Sequence, residues 1–481
     1  MSTVKTLVKN TSVLFLSQMI SYVLAFFYTL YSARYLGTTN FGIISFATAI
    51  SGLFSIFTDL GLSTLTIREV AKDKSKTYSY LGNHGSMKLI LSIVTMLLLV
   101  IFVNIGTFDD ITKYVVYLIG SSVIINAFSG VFTSMFRAYE QMEYQSIAEI
   151  INASTMFIGI LICVFTQQSV IMVSLVYVIA SLAVLLYNFA MCTKNYGLIH
   201  FQFNTKLWKY LIINAYPLAI TSIFALISFK MNTIILNMLV SPASVGEYTA
   251  AFNLMQALIF IPTVYSTAIL PIFAKFYVNS KEMLDYSYKK SLKYLTILSM
   301  PIVIGTTVLS DKIILFIYGA AYSNAIEVLA LIIWALPAIF LSYVLGTSIA
   351  SINKQHETLK ATFIIMILSL VGNLIFIHFF GAMGAALVTV MNEVSMVIFY
   401  IYIMHKAGYS VPIKSILIKP FIASLVMGAV IYIFNLDLFI SIGLGIVVYA
   451  IMVLVLRIID NDDWNIFKEL IPNKILEKLN L

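Results

Sequence analysis

Apolar residues form runs of about 20 residues along this chain, and short polar segments separate them. That length predicts membrane-spanning helices, whereas the alternating apolar and polar pattern of an outer-membrane barrel does not occur. In lipid, only helices and closed barrels satisfy all their backbone hydrogen bonds. We therefore predict an all-α polytopic membrane protein with about 14 transmembrane helices. The predicted spans are residues 11–33, 40–66, 87–106, 114–136, 148–166, 169–191, 213–238, 247–272, 294–309, 326–350, 361–380, 383–404, 416–434 and 438–457.

Composition supports this prediction and excludes several classes of function. Of the 481 residues, 60% are hydrophobic and only 10% are charged, against about 25% charged in soluble domains. The longest external loop, residues 310–325, is too short for the catalytic loop of a membrane polymerase or ligase. No glycine-rich phosphate-binding loop is present. We expect a protein that is not an enzyme and that uses no cofactor or metal.

The positive charges are distributed unequally between the two sides of the predicted membrane. With the N-terminus in the cytoplasm, cytoplasmic segments hold 25 of the 29 Lys and Arg. External loops hold Arg34, Lys113 and Lys312, and Lys230 alone lies within a span. This asymmetry predicts a cell-membrane protein, in the plasma or inner membrane, with both termini cytoplasmic. The net charge of +8 then reflects orientation and contact with anionic membrane lipid, not nucleic-acid binding.

A weak internal repeat predicts the domain organisation. RYLGTTNFGIISFATA at 34–49 aligns without gaps to MLVSPASVGEYTAAFN at 238–253, an offset of 204 residues that places Gly42 on Gly246. An even number of spans per repeat keeps the two halves parallel. The predicted parts are an N-lobe at 1–200, a C-lobe at 201–410, two further helices at 411–457 and an amphipathic cytoplasmic tail at 458–481. Residues 275–293 also look amphipathic and are predicted to lie along the membrane surface.

Six motifs in order along the chain resemble those of the polysaccharide-synthesis flippases (Wzx-like) of the multidrug/oligosaccharidyl-lipid/polysaccharide exporter superfamily. The second motif carries Asp59, Gly61, Arg68 and Glu69 in the family's positions. Each motif alone is weak, but their order over matching spans is specific. The motifs are ARYLGTTNFG at 33–42, FTDLGLSTLTIREVAKD at 57–73, VGEYTAAF at 245–252, ILPIFAKF at 269–276, IYGAAYSNAIEVLALI at 317–332 and FGAMGAALVTVMNEV at 380–394.

The resemblance implies a two-lobed, alternating-access transporter that moves a polyprenyl-pyrophosphate-type, lipid-linked oligosaccharide to the outer leaflet. It implies a monomer, with the lipid-linked oligosaccharide as substrate and polysaccharide assembly enzymes as further candidate partners. In this family the seventh span often carries a basic residue followed two positions later by aspartate. Here these residues are Lys230 and Asn232, so ion coupling through that pair is in doubt.

Lys230 is the leading candidate for substrate binding, because a lysine in the centre of a span costs about 2.5–3.5 kcal/mol. Helical spacing places Thr233 and Asn237 on the same face of the span, and Asn232 on the opposite face. A polar stripe of this kind is expected to face a cavity, where the ammonium would contact the pyrophosphate or acidic sugars. The alternative is that Lys230 extends to the outer membrane surface along its aliphatic stem.

Five more residues are candidates for the cleft, and Asp59 is a separate candidate for ion coupling or a structural pair. Arg34 ends the first span on the outside, and Arg68 and Lys275 end the second and eighth spans on the cytoplasmic side; each is either a phosphate contact or an ordinary headgroup anchor. Asn253 and Gln256 are amides within the eighth span, which bind substrate or hydrogen-bond between helices. Asp59 is a carboxylate within the second span, which either pairs with a base or titrates with a coupling ion.

Two further functions from the same superfamily remain open. A cation-coupled multidrug or small-molecule exporter would require acidic residues deep in the lobes, whereas the prominent charges here are Lys230 and Arg34. A lipid II flippase is the narrower alternative.

Overall fold

A computed structural model describes residues 3–197, 200–460 and 462–463. Its described residues form helices and no strand. The helices are α1 (Thr3–Phe54), α2 (Ile56–Asp59), α3 (Leu62–Lys72), α4 (Thr77–Ile105), α5 (Asp110–Ala138), α6 (Met142–Phe165), α7 (Val170–Tyr196), α8 (Thr205–Leu239), α9 (Pro242–Leu258), α10 (Phe260–Asn279), α11 (Lys281–Val308), α12 (Ser310–Ile317), α13 (Ala325–Ile332), α14 (Ala335–Ser351), α15 (Gln355–Lys406), α16 (Ile413–Phe434) and α17 (Leu438–Val455).

Twelve helical stretches within the described residues are long and apolar enough to cross a membrane. Two of them, Ser12–Asp59 and Gln355–Lys406, have 48 and 52 residues. At 1.5 Å per residue each is over roughly 70 Å long, more than twice the ~30 Å hydrocarbon core. Each bends at a glycine with positive φ, Gly37 (69°) in α1 and Gly381 (54°) in α15. With both arms of each bent helix counted, the spans agree with the predicted fold of about fourteen.

The second predicted span, 40–66, is interrupted. Its helix ends at Phe54, and after α2 the residues Leu60 and Gly61 have φ of 45° and 83° before α3 begins. Left-handed residues cannot continue a right-handed helix. Asp59 is therefore at a break in the helix and not inside a regular turn.

The third span begins at Thr77, ten residues earlier than the predicted start at 87. The sequence of its first turns, TYSYLGNHGSMK, reads as a polar loop. In the structure, however, Asn83, His84, Ser86 and Lys88 are all buried. Polarity marks the solvated surface of most proteins, but in a membrane protein it also marks helix faces that turn away from lipid.

Residues 275–293 do not form a separate surface helix, so that prediction is corrected. The Ser280 hydroxyl caps α11 by accepting from the Met283 amide, and α11 then runs without interruption to Val308. Its first turns pack inward through Leu284 and Tyr288, both fully buried, and this packing extends the span to its polar end. Of the predicted tail at 458–481, only 458–460 and 462–463 lie within the described residues.

The internal repeat appears in the structure as a reciprocal contact. A Cβ on Gly42 would lie 1.7 Å from the Pro242 carbonyl oxygen, and a Cβ on Gly246 would lie 2.0 Å from the Thr38 carbonyl oxygen. The offset of 204 residues relates both Gly42 to Gly246 and Thr38 to Pro242. The two contacts are therefore equivalent, as in a two-fold interface. Only glycine allows the backbones to approach this closely.

Packing divides the chain into two compact units. Unit 1 comprises residues 1–257, 317–328 and 362–389, and unit 2 comprises 258–316, 329–361 and 390–481. Unit 1 contains two apolar clusters, one around Phe46 and Ile160 and one around Leu65 and Phe132. The predicted boundaries at residues 200, 410 and 457 follow the internal sequence repeat, whereas the two units follow the contacts between helices. The predicted boundaries therefore stay a prediction.

Candidate functional site

A cavity of about 260 Å³ lies beside Lys230 in unit 1. Four helices line it: both arms of α1, and α7, α8 and α9. The first and second helices of each predicted repeat therefore contribute to one cavity. The lining residues are Tyr28, Thr29, Phe41, Ile44, Ser45, Thr48, Ala49, Tyr177, Phe229, Lys230, Thr233, Tyr248, Thr249, Phe252, Asn253 and Gln256.

Lys230 is half-buried in this lining. Among the described residues no carboxylate lies within salt-bridge distance of its ammonium, and the ring of Phe229 is 5.2 Å away. A Cβ on Gly52 would lie 3.5 Å from Lys230 Cε, so this glycine leaves room for the lysine stem. A positive charge without a counter-ion in a partly desolvated cavity attracts anions more strongly than it would in water.

The rest of the lining is neutral. The described residues supply hydroxyls, the amides of Asn253 and Gln256, and aromatic rings, but no Asp or Glu. Asn253 and Gln256 are three residues apart on α9, which places them on one face of the helix. The structure thus brings together four of the predicted residues: Lys230, Thr233, Asn253 and Gln256. Their donors and acceptors suit a polar, negatively charged ligand.

A buried hydrogen-bond network supports one wall of the cavity. Asn232 donates to the Tyr248 hydroxyl at 3.0 Å and to Thr389 Oγ1 at 2.8 Å, and its Oδ1 accepts from Asn373 at 2.7 Å. The Tyr248 and Thr389 hydroxyls lie 2.9 Å apart. As predicted, Asn232 does not share the cavity with Lys230. Its amide ties α8 and α9 to both arms of α15 and so holds the ring of Tyr248 in position.

A second cavity in unit 1 adjoins the first, and a third adjoins the second. One, of about 300 Å³, shares Tyr28 with the Lys230 cavity and is also lined by Glu149 and Asn152. Another, of about 380 Å³, shares Glu149 and Asn152 with the second and includes Arg137. Arg137 donates to Gln145, and Gln145 donates to Glu149, each at 2.8 Å. Polar side chains therefore line a series of three neighbouring cavities, with Arg137 in the last and Lys230 in the first.

Comparison with known proteins identifies the kind of protein that carries this cavity. A family model described as polysaccharide biosynthesis protein matches residues 7–277, more than half of the chain. The chain belongs to the polysaccharide biosynthesis protein family. The resemblance drawn from the six motifs is thereby confirmed. All the residues that line the Lys230 cavity fall within the matched region.

Two proteins that are similar to this chain have names that describe glycan transport or synthesis. The capsular polysaccharide biosynthesis protein CapF of Staphylococcus aureus is 23% identical over 82% of this chain and 98% of its own length. The probable low-salt glycan biosynthesis flippase Agl15 of Haloferax volcanii is also 23% identical, but over 50% of this chain and 53% of its own length.

Solved structures show the same fold at low sequence identity. The lipid II flippase MurJ in an inward closed conformation has a TM-score of 0.76 and 17% identity, covering 92% of this chain and 98% of that one. A multidrug resistance MATE transporter in an inward-facing conformation has a TM-score of 0.65 and 14% identity, covering 81% and 94%. The apolar helical stretches thus mark a multi-pass membrane protein, and its fold is that of these two transporters.

The remaining predicted residues of this family member lie outside the Lys230 cavity. Arg34 is exposed just before the bend of α1, and Lys275 is exposed on α10 in unit 2. Arg68 is partly exposed and donates to the neighbouring Glu69 at 3.2 Å. The buried Oδ1 of Asn237 has no hydrogen-bond partner in the described part of the chain.

Asp59 pairs with Lys88 of α4, and their charged atoms are 2.5 Å apart. Lys88 is almost fully buried, with 3% of its side chain exposed. Ser63 also donates to Asp59. Of the two roles predicted for Asp59, this geometry matches pairing with a base. Lys88 was missed because it stands at the polar end of its span, where a lysine normally anchors a headgroup.

Proposed function

We propose that this protein is a flippase that moves a lipid-linked oligosaccharide, of the polyprenyl-pyrophosphate type, from the cytoplasmic to the outer leaflet for surface glycan assembly. The observation that carries the proposal is the charge of Lys230, which has no carboxylate partner among the described residues, in a cavity whose described lining holds no carboxylate. A pyrophosphate group is the anionic part of such a substrate, and amides and aromatic rings suit the sugar beside it. The names of CapF and Agl15 support a glycan-related cargo.

The size of the cavity limits what it binds in this conformation. Its volume of about 260 Å³ is below the roughly 300–1,000 Å³ typical of sites for drug-sized ligands. It has room for a phosphate-bearing group and part of one sugar, but not for an oligosaccharide. Transport would therefore require the helices around Lys230 to separate, as alternating access provides.

The direction of transport follows from the predicted orientation, with both termini in the cytoplasm, where lipid-linked precursors would be bound. The chemistry proposed is binding and release, with no covalent step and no cofactor. Translocation of the headgroup then depends on Lys230, which the substrate reaches from the cytoplasmic side in one conformation and leaves toward the outer side in the other.

Substitution of Lys230 tests the proposal. In cells that lack the chromosomal gene, Lys230→Gln should lower surface glycan export by about ten-fold or more, since a charge-assisted hydrogen bond contributes roughly 1.5–3 kcal/mol. Lys230→Arg keeps the charge and should retain partial export. Surface glycan and the lipid-linked oligosaccharide left on the cytoplasmic leaflet are measured together, at matched protein levels.

Lys360→Gln is the matched control, because Lys360 is an exposed lysine outside the cavity. It should export normally. Near-normal export by Lys230→Gln would refute the role of the lysine. If deletion of the gene leaves surface glycans unchanged and creates a new drug sensitivity, the protein is an exporter of small molecules. Accumulated lipid II would instead identify a lipid II flippase.

A further inference from the structure

Unit 2 contains its own cavity, of about 860 Å³, around the first three turns of α11. The other walls are the segment that joins α15 to α16, the start of α16, and Asp460 beyond α17. Its volume lies within the range of about 300–1,000 Å³ seen for small-molecule sites. Nothing in the proposed transport of an oligosaccharide requires this space.

Lysines outnumber carboxylates by four to two on the wall that α11 provides, where Glu282 and Asp285 also line the cavity. Lys281, Lys289, Lys290 and Lys293 all line the cavity. Lys289 pairs with Asp285 on its own helix at 2.6 Å. Among the described residues Lys281 has no carboxylate within salt-bridge distance, and its ammonium lies 5.2 Å from the centre of the Tyr409 ring.

The other two lysines are held by two carboxylates from the segment after α17. Lys290 lies 3.0 Å from Asp460 and 2.6 Å from Asp463, and Lys293 contacts the same two residues. The Asp460 amide donates to Asp463, and the Asp463 amide donates to Asp460, each at 2.9 Å, in the pattern of a helix capping box. These contacts attach the segment after α17 to α11.

The two carboxylates differ in exposure. The Asp463 side chain is fully buried and also accepts from the Tyr294 hydroxyl at 2.8 Å, whereas 50% of the Asp460 side chain is exposed to the cavity. Burial disfavours the charge on Asp460, but hydrogen bonds from Lys293 and Lys290 outweigh it and hold the pKa of Asp460 well below its usual range. Asp460 is therefore an anion placed on two lysines at the edge of an open cavity.

The rest of the cavity wall is held in place. The Tyr288 hydroxyl donates to the Ser410 carbonyl, and the rings of Tyr288 and Tyr409 meet edge to face at 6.0 Å. These contacts fix the segment between α15 and α16 against α11 even though it has no regular structure. The lysines thus face a shaped cavity and not only a charged surface.

We propose that this cavity binds a phosphate-bearing anion, presented by the headgroup of an anionic lipid or free in solution, and that Asp460 occupies the anion's place when no ligand is bound. Basic pockets at the cytoplasmic ends of spanning helices are known to hold anionic headgroups. The exchange is feasible because half of the Asp460 side chain is exposed, so an incoming anion can reach Lys290 and Lys293 and replace the contacts that Asp460 makes with them. Asp463 would remain in its buried position and keep the segment attached.

The test measures binding of phosphatidylglycerol to the full-length protein in neutral detergent by native mass spectrometry. Lys281→Gln should weaken binding up to about five-fold, the effect of one partly exposed charge pair. Asp460→Asn should strengthen binding by a similar factor, because it removes the competing anion. Lys360→Gln, which removes an exposed lysine outside this cavity, should leave binding unchanged.

A parallel titration with glycerol 1-phosphate identifies the source of the anion. Competition at millimolar concentration supports the site and points to a soluble ligand, whereas its absence with intact lipid binding supports a lipid headgroup. Equal loss of lipid binding in Lys281→Gln and Lys360→Gln would overturn the proposal, since it would show a general surface charge effect. Weaker or unchanged binding in Asp460→Asn would also overturn it.

Discussion

Substitution of Gly246 by alanine should destabilise the protein, although alanine is the better helix former. A Cβ at this position would lie 2.0 Å from the Thr38 carbonyl oxygen, whereas ordinary contact begins at 3.4 Å. The two backbones must therefore separate by about 1.4 Å, and no flexible side chain is available to absorb the shift. Overpacking costs about 1–3 kcal/mol or more, against a helix-propensity gain of up to about 1 kcal/mol.

The assay is thermal unfolding in one detergent at one protein concentration. Gly443→Ala is the matched control, because Gly443 lies inside α17 with no atom within 4 Å of the added Cβ. It should unfold at the wild-type temperature or slightly above. Gly42→Ala should resemble Gly246→Ala. The double variant should lose less than the sum of the two, because one separation of the helices relieves both clashes. If Gly246→Ala is as stable as Gly443→Ala, the reciprocal contact does not constrain these helices.

Three further outcomes are expected. Asp59→Asn should lower the free energy of unfolding by roughly 3 kcal/mol by leaving Lys88 buried without a counter-ion, and Asp59→Asn combined with Lys88→Leu should recover most of that loss in the same unfolding assay. His84→Leu should be neutral or stabilising by about 1 kcal/mol, because both ring nitrogens of His84 are buried without a partner in the described part of the chain; a loss of stability would contradict this. Hydrogen bonds to Asp460 and Asp463 hold the pKa of both carboxyls below the values of the unfolded chain. The attachment of the segment after α17 to α11 should therefore be constant from pH 8 to about pH 5, and it should weaken only below about pH 4 as the carboxylates protonate. Hydrogen exchange of residues 457–460 at matched chemical exchange rates checks this, and a loss near pH 6 would refute it.

Most of the fold could be predicted from the sequence. Burial in lipid acts on each residue according to its own transfer free energy, so the apolar runs identify the spans before any contact is known. The bends at Gly37 and Gly381 also fall in the gaps between predicted spans, which were therefore separated correctly. The starts of α4 and α11 were predicted too late, because their polar faces turn inward and hydropathy cannot distinguish such a face from a loop.

The candidate cavity was predictable in part. Lys230 stands out because a charge within a span is costly, and helical spacing correctly grouped it with Thr233. The same spacing included Asn237, which lies outside the cavity lining. A helical wheel gives angles about one axis, but the extent of a cavity along that axis depends on the neighbouring helices.

Sequence alone determined the membrane class, the number of spans and the family, because these depend on composition along the chain and on local motifs. The tertiary structure determined which charged side chains form ion pairs. Lys88 lies 29 residues from Asp59, and Lys290 lies 170 residues from Asp460. Such pairs depend on the rotation and depth of each helix, which are set by packing at contacts such as that between Gly42 and Pro242. A sequence shows that a lysine is present in a span, but only the packed helices determine whether a carboxylate, a cavity or a ring lies beside it.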